Sequence, residues 1–262
     1  MRKKQTLSLL LVPMAMVLFC CMQCSDLVML PPENPPSGMN LLPAAEDASA
    51  VVSHKAFTLE YSEKHEQARW VAYLMTREYA SGNLSRTNDF REDPSIATGS
   101  ATLNDYRKSG YTRGHLCPAG DMKWDETAMS ETFLLSNMSP QLSDFNDGIW
   151  NKMESKVRYW AKIYDSLYVV TGPVLKEGLP TIGENRVSVP EEFYKIIYDP
   201  KREEAICFLV PHRKSDKGIR MYVVSIDRVE ELTGIDFFPE LPDEIEERVE
   251  CQCNIEKWKW GK

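Results

Sequence analysis

The chain has 262 residues, of which 43% are hydrophobic and 27% charged, and its formal net charge is −8. This is ordinary globular composition, and the acidic balance excludes a protein that coats nucleic acid through a broad basic excess. Residues 1–24 carry Arg2, Lys3 and Lys4 and no acid, so the remainder stands at −11 once those three positive charges are taken from −8. The excess is local, because residues 230–250 hold nine acids against Arg248 alone, a net of −8 that leaves the rest at −3. A local basic face built from Lys152, Lys156, Arg158 and Lys162 is therefore compatible with the total.

Arg2-Lys3-Lys4 followed by the apolar run 7–19 reads as an export signal over residues 1–24, too short for a comfortable membrane span. Cys20, Cys21 and Cys24 stand where a lipoprotein signal would be cut and the new N-terminal Cys acylated, although the residues before them fit a lipobox poorly. The expectation is an exported protein: periplasmic, anchored at the cell surface by lipid, or secreted. Residues 25–50 carry Pro31, Pro32, Pro35, Pro36 and Pro43 among small polar residues, which predicts a disordered tether. Residues 51–262 then form one domain, large enough for a substantial core.

Within that domain, residues 57–61 and 70–75 have the aromatic and β-branched texture of strands, and residues 85–94 read as a polar loop holding Arg86 and Arg91. Residues 111–117 predict a strand ended by Pro118, 126–130 a short helix and 132–137 a strand. Residues 147–162 carry Ile149, Trp150, Met153, Val157, Trp160 and Ala161 at helical spacing. A buried strand over 167–171 follows. A hairpin over 193–198 and 205–210 turns at Asp199-Pro200-Lys201-Arg202. The remaining expectations are a strand at 221–226 and short helices at 229–232 and 244–249. Strands dominate the middle with helices against them, which predicts an α+β fold with a mixed or antiparallel sheet.

The chemistry concentrates between Tyr111 and Glu154. Thr112-Arg113-Gly114-His115 is followed by Ser136-Asn137-Met138 and then by Asn146-Asp147-Gly148-Ile149-Trp150, with Glu154 eight residues after Asn146. Histidine titrates near pH ~6.5 and serves as a general base at neutral pH. Arg113 lies two residues before His115 and would share its side of a strand, while Gly114 would let backbone approach a phosphate. Asn146 stands just ahead of the helix, where Asn is also a common cap. Glu154 would fall about two turns later on the same face. A base, cations and hard oxygen donors in one block are the equipment of a phosphodiester hydrolase.

The combined pattern resembles the DNA/RNA non-specific endonucleases of the ββα-metal (His-Me finger) fold, a family that includes secreted bacterial nucleases and mitochondrial endonuclease G. The resemblance covers about residues 55 to 245. It implies a central, mostly antiparallel sheet flanked by helices. It implies that His115 activates water, that Arg113 and an upstream arginine steady the phosphate, and that Asn146 alone binds Mg²⁺ directly, with Mn²⁺ able to substitute. It further implies that Glu154 holds a metal-bound water and that Asn137 lies near the phosphate. Arg86 matches the upstream arginine better than Arg91, with a solvated loop arginine as the alternative, and Asn137 reads equally well as a buried amide bonded to backbone. Implied substrates are DNA and RNA, cut to 5′-phosphate and 3′-hydroxyl ends. Thr112 stands where the family has Asp, and that departure, with the charge of −11, motivates a second reading: a catalytically silent nucleic-acid-binding or scaffold protein that keeps the fold.

The cysteines offer a rival arrangement. His115-x-Cys117 with Cys251-x-Cys253 could be drawn as a Zn²⁺ site, though the spacing is not a common zinc pattern. In an exported chain a disulfide from Cys207 to the Cys251/Cys253 pair is the stronger expectation.

Overall fold

The structure is a computed structural model that describes residues 40–261. In chain order its strands and helices are β1 (Val51–Ser53), β2 (Phe57–Ser62), β3 (Gln67–Thr76), α1 (Leu103–Tyr106), β4 (Thr112–His115), α2 (Glu126–Glu131), β5 (Met138–Gln141), α3 (Ser143–Phe145) and α4 (Asn151–Tyr164). Then follow β6 (Ser166–Pro173), β7 (Thr181–Ile182), β8 (Val187–Ser188), β9 (Glu192–Asp199), β10 (Glu204–Pro211), β11 (Val223–Val224), α5 (Ile226–Thr233) and α6 (Asp243–Cys251). One antiparallel sheet runs in the order β1-β2-β3-β6-β9-β10-β11, and β4 with β5 forms a separate two-stranded ribbon.

The large sheet is buried on both faces, and strand alternation decides what each face meets. Tyr73, Val169, Phe193, Ile197 and Phe208 pack with Trp150, just ahead of α4, and with Met153, Val157 and Trp160 of α4. The intervening residues Trp70, Val170, Tyr194, Ile196 and Cys207 pack with Ile226 and Val229 of α5 and Val249 of α6. The apolar stripe read from the sequence is thus the seam of α4 with the sheet; each fully buried large side chain along it contributes about 1.5–3 kcal/mol. The acid-rich segment folds as α5 and α6 on the opposite face of the sheet, so its charge is held away from α4. α5 starts at Ser225, whose side chain accepts from the Arg228 N–H, and stops at Gly234 with φ +66°.

Several expectations shift. Residues 132–137 are not a strand: Thr132 closes α2, residues 135–137 make a 3-10 turn, and the strand begins at Met138. Residues 221–226 hold only the two-residue β11, because Ser225 caps α5 directly. The tether expected over 25–50 falls mostly outside the described residues, as does the signal at 1–24. Residues 40–50 pack on the domain, with Leu41, Leu42 and Ala45 against the α5–α6 core and Ala44 N–H donating to the Asp236 carbonyl at 2.8 Å. Three apolar side chains in these residues suffice to dock a segment that its prolines made look unstructured. Among the described residues no helix is long and apolar enough to cross a membrane.

Candidate active site

β4, β5 and α4 form a ββα unit. The register sets Arg113 opposite Pro140 and His115 opposite Met138, and alternation along β4 puts Arg113 and His115 on one side. Trp150 donates from its indole to the His115 carbonyl at 3.3 Å, which ties the strand to the start of the helix. The imidazole is 7% exposed, edge-on to Phe133 at 5.0 Å, and its Nε2 has no protein partner. Burial first, then the charges of Arg86 and Arg113, push its pKa down to about 3, so the ring is neutral at pH 7 and able to accept a proton.

The two arginines are held by aromatic rings. The Arg86 guanidinium lies 4.8 Å over Phe133, and that of Arg113 lies 3.9 Å over Phe90. Arg91 turns away and bonds Asp89 and the Ser130 carbonyl, so Arg86 is the loop arginine beside His115. Two cations flanking a neutral imidazole make a seat for an anion, and a phosphate there would offset the positive potential that depresses His115.

Asn146 opens a five-residue π turn, Asn146–Trp150, in which Gly148 leaves helical geometry before α4 begins. Its Nδ2 donates to the Thr112 hydroxyl at 3.4 Å, and that hydroxyl donates on to the Gln141 carbonyl at 2.9 Å. With Nδ2 turned to that hydroxyl, Oδ1 accepts no hydrogen bond from the described residues. Thr112 therefore orients the amide through its hydroxyl, where the family's Asp would use a carboxylate. Glu154, half-buried on the first turn of α4, has its pKa raised by burial, with Asp121 adding to the shift and Lys195, Arg158 and Arg86 opposing it. A free amide oxygen and a carboxylate are hard oxygen donors of the kind Mg²⁺ accepts, and a site with so few protein ligands suits an ion that keeps most of its waters. Asn146 and Glu154 fit such a metal.

Other expected residues take different places. Asn137 is fully buried, with Nδ2 donating to the Cys117 and Thr132 carbonyls and Oδ1 accepting from the Cys117 N–H, each at 2.9 Å. Its amide clamps backbone and has nothing left for a phosphate. Gly114 has a packing role, since a Cβ there would fall 2.2 Å from the Gln141 side chain. The basic face on α4 is broken: Arg158 turns inward to Asp121 at 2.7 Å and Lys156 bonds the Trp260 carbonyl. The zinc arrangement does not assemble, because Cys117 lies in the core on the α4 face and Cys251 ends α6 on the other. Cys117, Cys207, Cys251 and Cys253 are all free thiols, so the expected disulfide is not formed.

Three groups the motifs did not reveal complete the surroundings. Lys195 is fully buried on β9, donating to Thr171 at 3.1 Å with its ammonium 4.6 Å over Trp150. Asp121, also fully buried, accepts from Tyr73 at 2.9 Å as well as from Arg158. Lys195 is flagged by parity alone, a cation on an inward face between Phe193 and Ile197; Asp121 carries no local signal. His212 holds the turn into α3, accepting the Leu142 N–H on Nε2 and donating from Nδ1 to the Pro190 carbonyl, both at 2.7 Å.

A two-stranded ribbon that carries Arg and His, packed on a helix that brings an amide and a carboxylate, defines the α+β ββα-metal nuclease fold. Comparison with known proteins agrees. The family model for DNA/RNA non-specific endonuclease matches residues 42–244, and the chain belongs to that family. It is 36% identical over 202 residues to the mitochondrial nuclease EXOG of Danio rerio, covering 70% of this chain and 59% of that protein. It is 33% identical over 209 residues to human mitochondrial endonuclease G, covering 72% and 69%. A similar solved structure is that of an EndoG/EndoGI complex, at TM-score 0.68 and 33% identity over 73% of this chain and 86% of that one. The matched region spans 55% to 59% of the length of the EXOG relatives from mouse, zebrafish and Xenopus laevis.

Proposed function

We propose that this protein is a metal-dependent endonuclease that hydrolyses phosphodiester bonds of DNA and RNA without sequence specificity. The observation that carries the reading is a neutral, unpartnered imidazole set between two arginines, on the strand that also orients the free amide oxygen of Asn146. His115 takes the proton from the attacking water. Arg113 and Arg86 hold the phosphate and stabilise the charge that builds on it in the transition state. Asn146 would hold Mg²⁺ directly and Glu154 would hold one of its bound waters, with Mn²⁺ able to replace the ion. When bound, the ion supplies positive charge at the leaving oxygen. Cleavage leaves 5′-phosphate and 3′-hydroxyl ends.

The silent-protein reading rested on Thr112 and on the acidic total. The Thr112 hydroxyl keeps the bond that orients Asn146, and the acid run lies across the sheet, so both observations favour an active enzyme. Incubating the full chain with plasmid DNA and with RNA, in Mg²⁺ and in chelator, tests the proposal. It predicts nicking and degradation of both substrates that chelator abolishes; cleavage that survives chelator would remove the metal from it. We propose export as well, as a secreted, periplasmic or lipid-anchored protein, which fractionation of the producing cell checks directly.

A further inference from the structure

A cleft of about 620 Å³ opens beside the proposed site and shares Arg86 and Arg113 with it. Its walls extend to Phe90, Leu103, Tyr106 and Arg107, and no acid lines it. Arg107 is exposed and pairs with no carboxylate among the described residues. Leu103, at 42% exposure, is one of few large apolar side chains left in solvent there. Tyr106 is 6% exposed, yet its hydroxyl is buried without a protein partner. A buried, unsatisfied hydroxyl is costly unless a ligand or water completes it. A free cation, an apolar ledge and an orphaned hydroxyl on one wall match a nucleotide, which offers a phosphate, a face and polar edges together.

We infer that this cleft is a subsite for the nucleotide flanking the scissile phosphate of a single-stranded nucleic acid. Arg107 takes the neighbouring phosphate, Leu103 covers the sugar or base, and the Tyr106 hydroxyl bonds a polar edge. The inference rests on the proposed nuclease reading for its register: with Arg113 and Arg86 on the scissile phosphate, the cleft receives the next residue of the strand. The volume lies within the range of small-ligand sites, so the cleft takes one nucleotide rather than a duplex.

The test compares Arg107→Ala, Arg107→Lys and Tyr106→Phe with wild type. Two substrates are used, a single-stranded 12-mer and bis(p-nitrophenyl) phosphate, a diester with no neighbouring phosphate for Arg107 to hold. One charge-assisted contact predicts that the 12-mer-to-diester ratio of kcat/KM falls about tenfold in Arg107→Ala, chiefly through KM, and recovers in part in Arg107→Lys. Tyr106→Phe should lower the same ratio two- to fivefold. Anisotropy of a labelled 12-mer in chelator should show a matching rise in Kd, with the salt slope reduced by about 0.7. An unchanged ratio together with an unchanged Kd in Arg107→Ala would overturn the subsite. Should wild type cleave neither substrate, the nuclease reading fails, and anisotropy in chelator still decides the subsite by itself.

Discussion

Replacing Lys195 by Met should cost stability in a way that depends on pH. The ammonium is fully buried, with one hydrogen bond to Thr171 and the Trp150 face as its neighbours. It therefore depends on the carboxylates of Glu154 and Asp121, which oppose the fall in its pKa caused by burial. Lys195, Arg158, Asp121 and Glu154 together sum to zero when all are charged. Met fills the volume of the Lys stem but leaves the buried Asp121 and half-buried Glu154 carboxylates facing one guanidinium. Removing one partner from such a set costs about 3–5 kcal/mol, and at about 2–4 °C per kcal/mol for a domain of this size the melting temperature should drop by roughly 6–20 °C at pH 8. Burial already raises the pKa of Glu154 in the folded state, and loss of Lys195 raises it further. A raised carboxyl contributes stability below its unfolded value and loses it as pH climbs through the folded one. The deficit should therefore shrink towards pH 5, where Glu154 takes up a proton. Thermal unfolding of Lys195→Met and of Lys195→Met with Glu154→Gln across pH 5–8 measures this. The double variant should regain stability at pH 8 without regaining activity. A single variant as stable as wild type at pH 8, or a double variant no better than the single, would refute the account of the buried charges.

Three further outcomes follow from the site. Thr112→Val removes the hydroxyl that holds Asn146, and because that bond is long at 3.4 Å its loss should weaken Mg²⁺ binding only about two- to fivefold, read by calorimetric titration and by activity against Mg²⁺. Asn137→Ala strips three buried backbone contacts and should destabilise by about 2–4 kcal/mol while leaving kcat at low temperature within about twofold of wild type, measured by denaturant unfolding beside kinetics. The acid limb of kcat/KM should move to lower pH as Mg²⁺ rises, because proton and cation compete for Glu154, whose pKa is raised. At saturating Mg²⁺ it should pass below 6.5, because the depressed pKa of His115 keeps the ring neutral there; a limb fixed near 6.5 at every Mg²⁺ concentration would contradict both shifts.

Most of the architecture was legible where one period and one pair of turn residues agreed. The β9–β10 hairpin was placed to within one residue at each end, because apolar runs flank Asp199, whose carboxylate accepts from the Lys201 and Arg202 N–H groups. Residues 132–137 misled because Phe133, Leu134 and Leu135 are buried as a strand would bury them, yet they close a helix and bridge to Arg91. Parity along β4 sets Arg113 and His115 on one side of the strand, and Asn146 and Glu154 fall in the π turn and on the first turn of α4, as their spacing suggested. What sequence could not carry was long-range assembly. The Asn137 clamp closes onto residues five and twenty positions away, and Lys195 arrives from a strand 41 residues beyond Glu154. The net charge says little about the site for a related reason: it sums over both faces of a sheet whose faces differ.

The division of labour between His115 and Asn146 is tested most directly by His115→Ala and Asn146→Ala, each assayed for turnover and for Mg²⁺ binding by calorimetry. Loss of His115 should cut kcat by roughly 10² to 10⁴ with Mg²⁺ affinity nearly unchanged, the usual worth of a general base. Loss of Asn146 should weaken Mg²⁺ binding and be partly rescued at high Mg²⁺. A His115→Ala protein whose turnover returns as Mg²⁺ is raised would contradict the assignment of base and ligand.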